Sequence, residues 1–116
     1  MALQTHIRHL LVDAHGCEGP LDDADALLAL MRKAADACGA HTVGEASARY
    51  VPHGVTAVLF LAESHILIST WPEANMALVD VLVCSDQMDL DGAWSVIAAG
   101  IEPTDVVPKR LDRGTA

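Results

Sequence analysis

The chain has 116 residues, a length for one domain, and 52% of them are apolar while only 3% are aromatic. A core must therefore be built from Ala, Leu, Val and Ile, and the few rings are left for special duties. Sixteen acidic against seven basic residues give a formal charge of -9, which repels phosphate backbones and anionic membranes and offers no cationic stripe for counterion release. No nucleic acid and no membrane is expected as a partner, and a small cationic ligand suits the charge better.

Residues 6–14, HIRHLLVDA, alternate well enough for a first strand,. The apolar run HLLV at 9–12 is broken by Asp13 and His15, so neither a signal peptide nor a membrane span is expected there. GCEGPLDDAD at 16–25 reads as a turn whose acidic end suits a helix start,. Leu27, Leu28, Met31, Ala34, Ala35 and Cys38 recur at helical steps, and Gly39 stands where that helix should stop,. From 41 to 84 the pattern becomes β-branched runs punctuated by Pro and Gly: HTVGEASARYV, GVTAVLFLA, HILISTW and MALVDVLVC. Three or four strands with short, mostly antiparallel links are expected. DLDGAWSVIAAG at 89–100 predicts a second helix with Gly100 as its stop, and TDVVPKRL predicts a last strand that Pro108 confines to an edge,.

This order predicts an α+β fold, a two-layer sandwich in which a mainly antiparallel sheet carries two helices on one face. One domain is expected over 1–116, and the need to bury the second sheet face favours a dimer. Cys17, Cys38 and Cys84 form no CxxC pair and leave an odd thiol, which fits a reducing, cytoplasmic setting and no disulfide framework.

Residues 63–73, ESHILISTWPE, are a poor match to ordinary core design. Together with VDVLVC at 79–84, they resemble the autoprocessing segment of the short prokaryotic S-adenosylmethionine decarboxylases, whose usual form is ESHxxIHTWPE followed by a Cys. The likeness runs from His9-Leu10-Leu11-Val12-Asp13 and Gly16-Cys17 through the 50–84 block to Arg113-Gly114. It implies that the chain cuts itself between Glu63 and Ser64. The Ser hydroxyl would attack the preceding carbonyl, take the acyl group from N to O, and leave by elimination. A pyruvoyl group formed from Ser64 would then be the cofactor, a ketone that condenses with a substrate amine as a Schiff base and draws electrons as carbon dioxide leaves.

The resemblance assigns roles position by position. Cys84 matches the thiol that returns a proton to the substrate carbon, a task suited to a group with an ordinary pKa of about 8.5. Taken alone, Cys84 reads as a small apolar residue at a strand end. Thr56 falls at a hydroxyl that assists processing, although it also reads as an ordinary β-branched strand residue. Tyr50 aligns with an aromatic ring that stacks on adenine. Glu73 aligns with the carboxylate that holds a ribose diol, and its plain reading is a charged turn residue. His65 joins Tyr50 and Glu73 on the substrate side.

Position 69 departs from the usual form. Ser69 stands where the family has His, and a hydroxyl cannot accept a proton near neutral pH. His53 and His65 are the candidate substitutes, while strand alternation sets residues 64 and 69 on opposite faces. Two further departures are Val83-Cys84-Ser85 in place of Thr-Cys-Gly, and Ala48 in place of a His. The remaining histidines, His6, His9, His15, His41 and His53, show no zinc spacing and read as scattered surface groups. The acidic stretch Asp86 to Asp91 reads as a solvated turn before a helix rather than a calcium loop. No metal is assigned.

The expected function is pyruvoyl-dependent decarboxylation of an amino-acid substrate, S-adenosylmethionine first, in polyamine synthesis by a homodimer. Two alternatives remain at this level: a pyruvoyl decarboxylase retuned to ornithine or arginine, and an uncleaved binding or regulatory paralogue.

Overall fold

The computed structural model describes residues 6–114. Six strands and two helices follow the order β1 (Ile7–His15), α1 (Ala24–Cys38), β2 (Thr42–Arg49), β3 (Val55–Leu61), β4 (Ser64–Trp71), β5 (Met76–Val83), α2 (Leu90–Ile101) and β6 (Asp105–Arg113), with one 3₁₀ turn at Pro72–Ala74. The strands form a single sheet in the order β2-β3-β4-β5-β1-β6. Each neighbouring pair is antiparallel. The expected α+β two-layer arrangement is the one observed.

Alternation along the strands explains the layers. Leu10, Val12 and Ala14 of β1, Val55, Ala57, Leu59 and Leu61 of β3, Ile66 and Ile68 of β4, and Ala77, Val79, Val81 and Val83 of β5 are buried under the helices. They pack against Leu27, Leu28, Met31, Ala34, Ala35 and Cys38 of α1 and against Leu90, Ala93, Ile97 and Ile101 of α2. Trp94 is half-buried against the same core.

The other sheet face is uncovered. It displays Thr56, Val58, Phe60, Leu67, Ser69, Leu78, Asp80 and Leu82, and Phe60 and Leu78 are exposed. Strand β6 forms one edge, as Pro108 predicts,.

The helix ends come from local chemistry. Asp23 caps α1 by accepting from the Ala26 N–H, and Gly39 closes it in the left-handed region at φ 79,. Asp89 caps α2 by accepting from the Gly92 N–H at 2.9 Å, and its own N–H donates to the Cys38 carbonyl at 3.0 Å, tying the two helices together. Gly100 is not the stop of α2. The helix runs on to Ile101 and closes at Glu102, which is left-handed at φ 51. Gly100 is instead a close-approach point, because a Cβ there would stand 2.4 Å from a Leu30 methyl of α1. Among the described residues no helix is long and apolar enough to cross a membrane.

Candidate active site

The family-aligned residues fall into two groups at opposite ends of β4. The first group surrounds a cavity of about 280 Å³ lined by Tyr50, His53, Gly54, Thr56, Ser69, Thr70, Trp71 and Glu73. Register places it: Thr56 of β3 sits directly opposite Ser69 of β4. The Tyr50 hydroxyl donates to Thr56 Oγ1 at 3.0 Å, and Thr56 Oγ1 lies 3.1 Å from Ser69 Oγ. Thr56 accepts from Tyr50 and is thereby free to donate to Ser69, so the three hydroxyls form a chain.

The link between β2 and β3 supplies the rest of the wall. Its Gly54 has φ 113, a conformation that residues with a Cβ avoid,. The Gly54 N–H donates to Asp22 Oδ1 at 2.7 Å and its carbonyl accepts from the Tyr50 N–H at 2.9 Å. The turn is thus pinned from both sides, and it holds His53 with Nε2 3.3 Å from Glu73 Oε1. Thr70 closes the floor, its Oγ1 accepting from the Val55 N–H at 3.0 Å.

The second group sits at the turn between β3 and β4. Leu61 pairs with Ser64, so Ala62 and Glu63 make a two-residue hairpin turn. Glu63 is left-handed at φ 66. Ser64 Oγ is buried and has no hydrogen-bond partner, a condition that ordinarily costs about 1–3 kcal/mol,. Cys84, at the end of β5, brings its Sγ 3.7 Å from the Ala62 carbonyl oxygen. The structure therefore brings Cys84 to the Glu63–Ser64 turn, across the twenty residues that separate Cys84 from Ser64.

Arg8 sits beneath the same end. Its Nη2 donates to the carbonyls of Ser85 and Met88 at 3.0 and 2.5 Å, fixing the loop that follows Cys84.

Ser64 and Ser69 lie on opposite sheet faces, as alternation requires, and five residues apart on one strand. At the usual rise that is about 17 Å. One chain does not bring its Ser64–Cys84 turn to its own Thr56–Ser69 cavity.

His65, placed with the substrate residues by sequence, is not among the cavity-lining residues and follows Ser64 at the second group's end of β4. It is on the open face with Nε2 3.5 Å from Asp80 Oδ1, and Asp80 is also bound by His9 Nε2. His9 is not a scattered surface group: it is buried, with Arg113 Nη1 3.2 Å from its other ring nitrogen. His6 is likewise engaged, by Asp86 at 2.7 Å and Asp112 at 2.6 Å, and these carboxylates hold its imidazolium above the ordinary value. Burial in the core pushes the Cys17 and Cys38 thiols up, so neither is a ready nucleophile,.

A model of the S-adenosylmethionine decarboxylase family matches residues 8–114. The chain belongs to the S-adenosylmethionine decarboxylase family. It is similar to S-adenosylmethionine decarboxylase proenzyme 2 of Bacillus cereus, with 35% identity over 98% of this chain and 94% of that protein. The S-adenosylmethionine decarboxylase proenzyme of Symbiobacterium thermophilum is 36% identical over 99% of this chain and 88% of its own length. Among solved structures, the adenosylmethionine decarboxylase of Aquifex aeolicus superposes with a TM-score of 0.84 at 28% identity, covering 97% of this chain and 93% of that one. The fold expected from sequence is thus that of an S-adenosylmethionine decarboxylase.

Three features of this member escaped the sequence. Trp71 lines the cavity, a placement that the alternation of β4 could have supplied. Arg8 reaches the loop after Cys84 only because β1 lies beside β5, which no local pattern reveals. The Asp80 contacts with His9 and His65 depend on the same strand order.

Proposed function

We propose that this member of the S-adenosylmethionine decarboxylase family cuts itself between Glu63 and Ser64 and then decarboxylates S-adenosylmethionine, in the cytoplasm and on the route to polyamines. The observation that carries the reading is the turn: a left-handed Glu63 precedes a Ser64 whose Oγ is buried without a partner. A hydroxyl kept out of the hydrogen-bond network at a strained peptide suits a nucleophile, and it is the donor chemistry that a pyruvoyl group needs for its formation. That ketone supplies an electron sink for loss of the α-carboxylate of a bound amino acid.

The chain's own residues divide the remaining work. Cys84, held at the turn by its contact with the Ala62 carbonyl, carries a proton on Sγ and delivers it to the substrate carbon after carbon dioxide leaves,. Arg8 fixes the loop behind that thiol. Tyr50 offers a flat face for the adenine ring, and Glu73 offers two acceptors for the ribose diol. The formal charge of -9 favours approach of a sulfonium cation,.

The two half-sites support a homodimer. With the open sheet faces packed together, a twofold axis between them, perpendicular to β4 and level with its middle, sets the Ser64–Cys84 turn of each copy against the cavity of the other. Covering Phe60 and Leu78 in the same contact removes apolar surface from water,.

Intact mass of the purified protein, with and without a ketone-capturing reagent, tests the reading. Two fragments divided before Ser64, the second carrying a reactive carbonyl, together with carbon dioxide release from S-adenosylmethionine, are expected. A chain that stays whole through prolonged incubation refutes it. Sedimentation at micromolar concentration tests the dimer.

A further inference from the structure

Ser69 leaves the family motif without its imidazole, yet the elimination that completes self-cleavage needs a proton acceptor. The chemistry fixes what that acceptor must do. Ser64 Oγ adds to the Glu63 carbonyl carbon and the amide nitrogen departs, giving an ester and an amine. The Cα–H of residue 64 is then removed, its electron pair forms the new C=C bond, and the Cβ–Oγ bond breaks so that Glu63 leaves as a carboxylate. Water finally replaces the nitrogen, which departs as ammonia, and the ketone remains. The Cα proton is the one that a hydroxyl at position 69 cannot take near neutral pH.

We propose that His53 is the proton acceptor of self-cleavage, supplying from the β2–β3 turn the imidazole that position 69 lacks. This rests on the self-processing reading above. His53 and Ser69 line one cavity, with Thr56 and Tyr50 joined to Ser69 by the chain of hydroxyls. Imidazole is the side chain whose ordinary titration falls between about pH 5 and 8, and His53 is the only imidazole among the residues that line the cavity,.

Its placement is built rather than incidental. Gly54, the next residue, is anchored to Asp22 and to Tyr50 through its N–H and carbonyl. The Glu73 carboxylate beside Nε2 favours the tautomer with its proton on that nitrogen, which leaves the lone pair on Nδ1 to accept,. This is the arrangement of a general base oriented by a carboxylate. His65 stands beside Ser64 at the other end of β4, on the open face with Nε2 3.5 Å from an Asp80 carboxylate that His9 also contacts, whereas His53 shares the cavity with position 69. In the dimer described above, the acceptor on one copy serves Ser64 of the partner subunit.

The test follows cleavage by intact mass over time in four proteins: the parent, His53→Gln, His53→Gln with Ser69→His, and His53→Ala with and without added imidazole. The parent is expected to cleave, and His53→Gln to cleave about 10²–10⁴-fold more slowly, the range for loss of a general base. Ser69→His in the His53→Gln chain should restore much of the rate, and free imidazole should accelerate His53→Ala, which a packing role for His53 does not predict. A folded His53→Gln chain that cleaves at the parental rate overturns the assignment and leaves self-processing intact. Slow cleavage of His53→Ala and of the double variant, unmoved by imidazole and by Ser69→His, also overturns it. A parent that never cleaves removes both proposals together.

Discussion

The left-handed Glu63 makes a quantitative prediction about the turn. Holding a residue with a Cβ in that region costs about 1–2 kcal/mol, whereas Gly adopts it freely. Gly in turn gives up more freedom on folding, about 0.4–1 kcal/mol. Glu63→Gly is therefore expected to stabilise the uncut chain by about 0.5–1 kcal/mol on balance. Measured in a Ser64→Ala background, so that no cleavage intervenes, the urea midpoint should rise by roughly 0.3–0.7 M for a slope near 1.5 kcal/mol/M. In the Ser64 chain the same relief should slow self-cleavage by about 2–5-fold, because strain released on attack no longer lowers the barrier. A midpoint that is unchanged or lower would mean that φ 66 carries no strain here. Cleavage as fast as the parent's, despite the added stability, would mean that the turn does not drive the reaction.

Cys84→Ala should leave self-cleavage intact and depress carbon dioxide release by about 10²–10⁴-fold, read by separate mass and gas-release assays. Arg8→Met removes the donor to the Ser85 and Met88 carbonyls, and should cost about 1.5–3 kcal/mol in urea denaturation. Gly100→Ala drives a methyl into Leu30 and should cost about 1–3 kcal/mol, much of it recovered when Leu30→Ala is added. His6 has its folded-state pKa raised above 6.5, by Asp86 first and then Asp112. Its contribution is thus present below pH 6.5 and lost as pH rises through the folded value,. The parent should therefore lose urea resistance as pH rises above 6.5 relative to His6→Gln, at low salt, where exposed pairs act most strongly,.

The elements were legible where local chemistry decides them. The three- and four-residue steps of α1 and the left-handed Gly39 sit where the pattern put them, and so do the strand alternations of β3 to β5. Gly100 was misread because a glycine that admits a neighbouring helix and one that ends its own look alike in sequence; only the contact with Leu30 separates them. At the site, the pairing of Thr56 with Ser69 follows from a two-residue turn between alternating strands, and was within reach of the pattern. Burial of His9 against Asp80 was not, since these residues lie 71 apart and meet only because β1 inserts beside β5. Spacing also could not show that His53 lines the cavity with Ser69 while His65 faces Asp80.

Strand order carries one more consequence. Strand β1 lies between β5 and β6, so a strand that precedes the Glu63–Ser64 turn is flanked on both sides by strands that follow it. A cut at that turn therefore yields two pieces that are woven through one another, each completing the other's hydrogen-bond ladder. Neither can depart without tearing β1 out of the middle of the sheet. Severing the peptide there would cost the fold only the link at one hairpin tip, and would place the new chain ends beside Cys84.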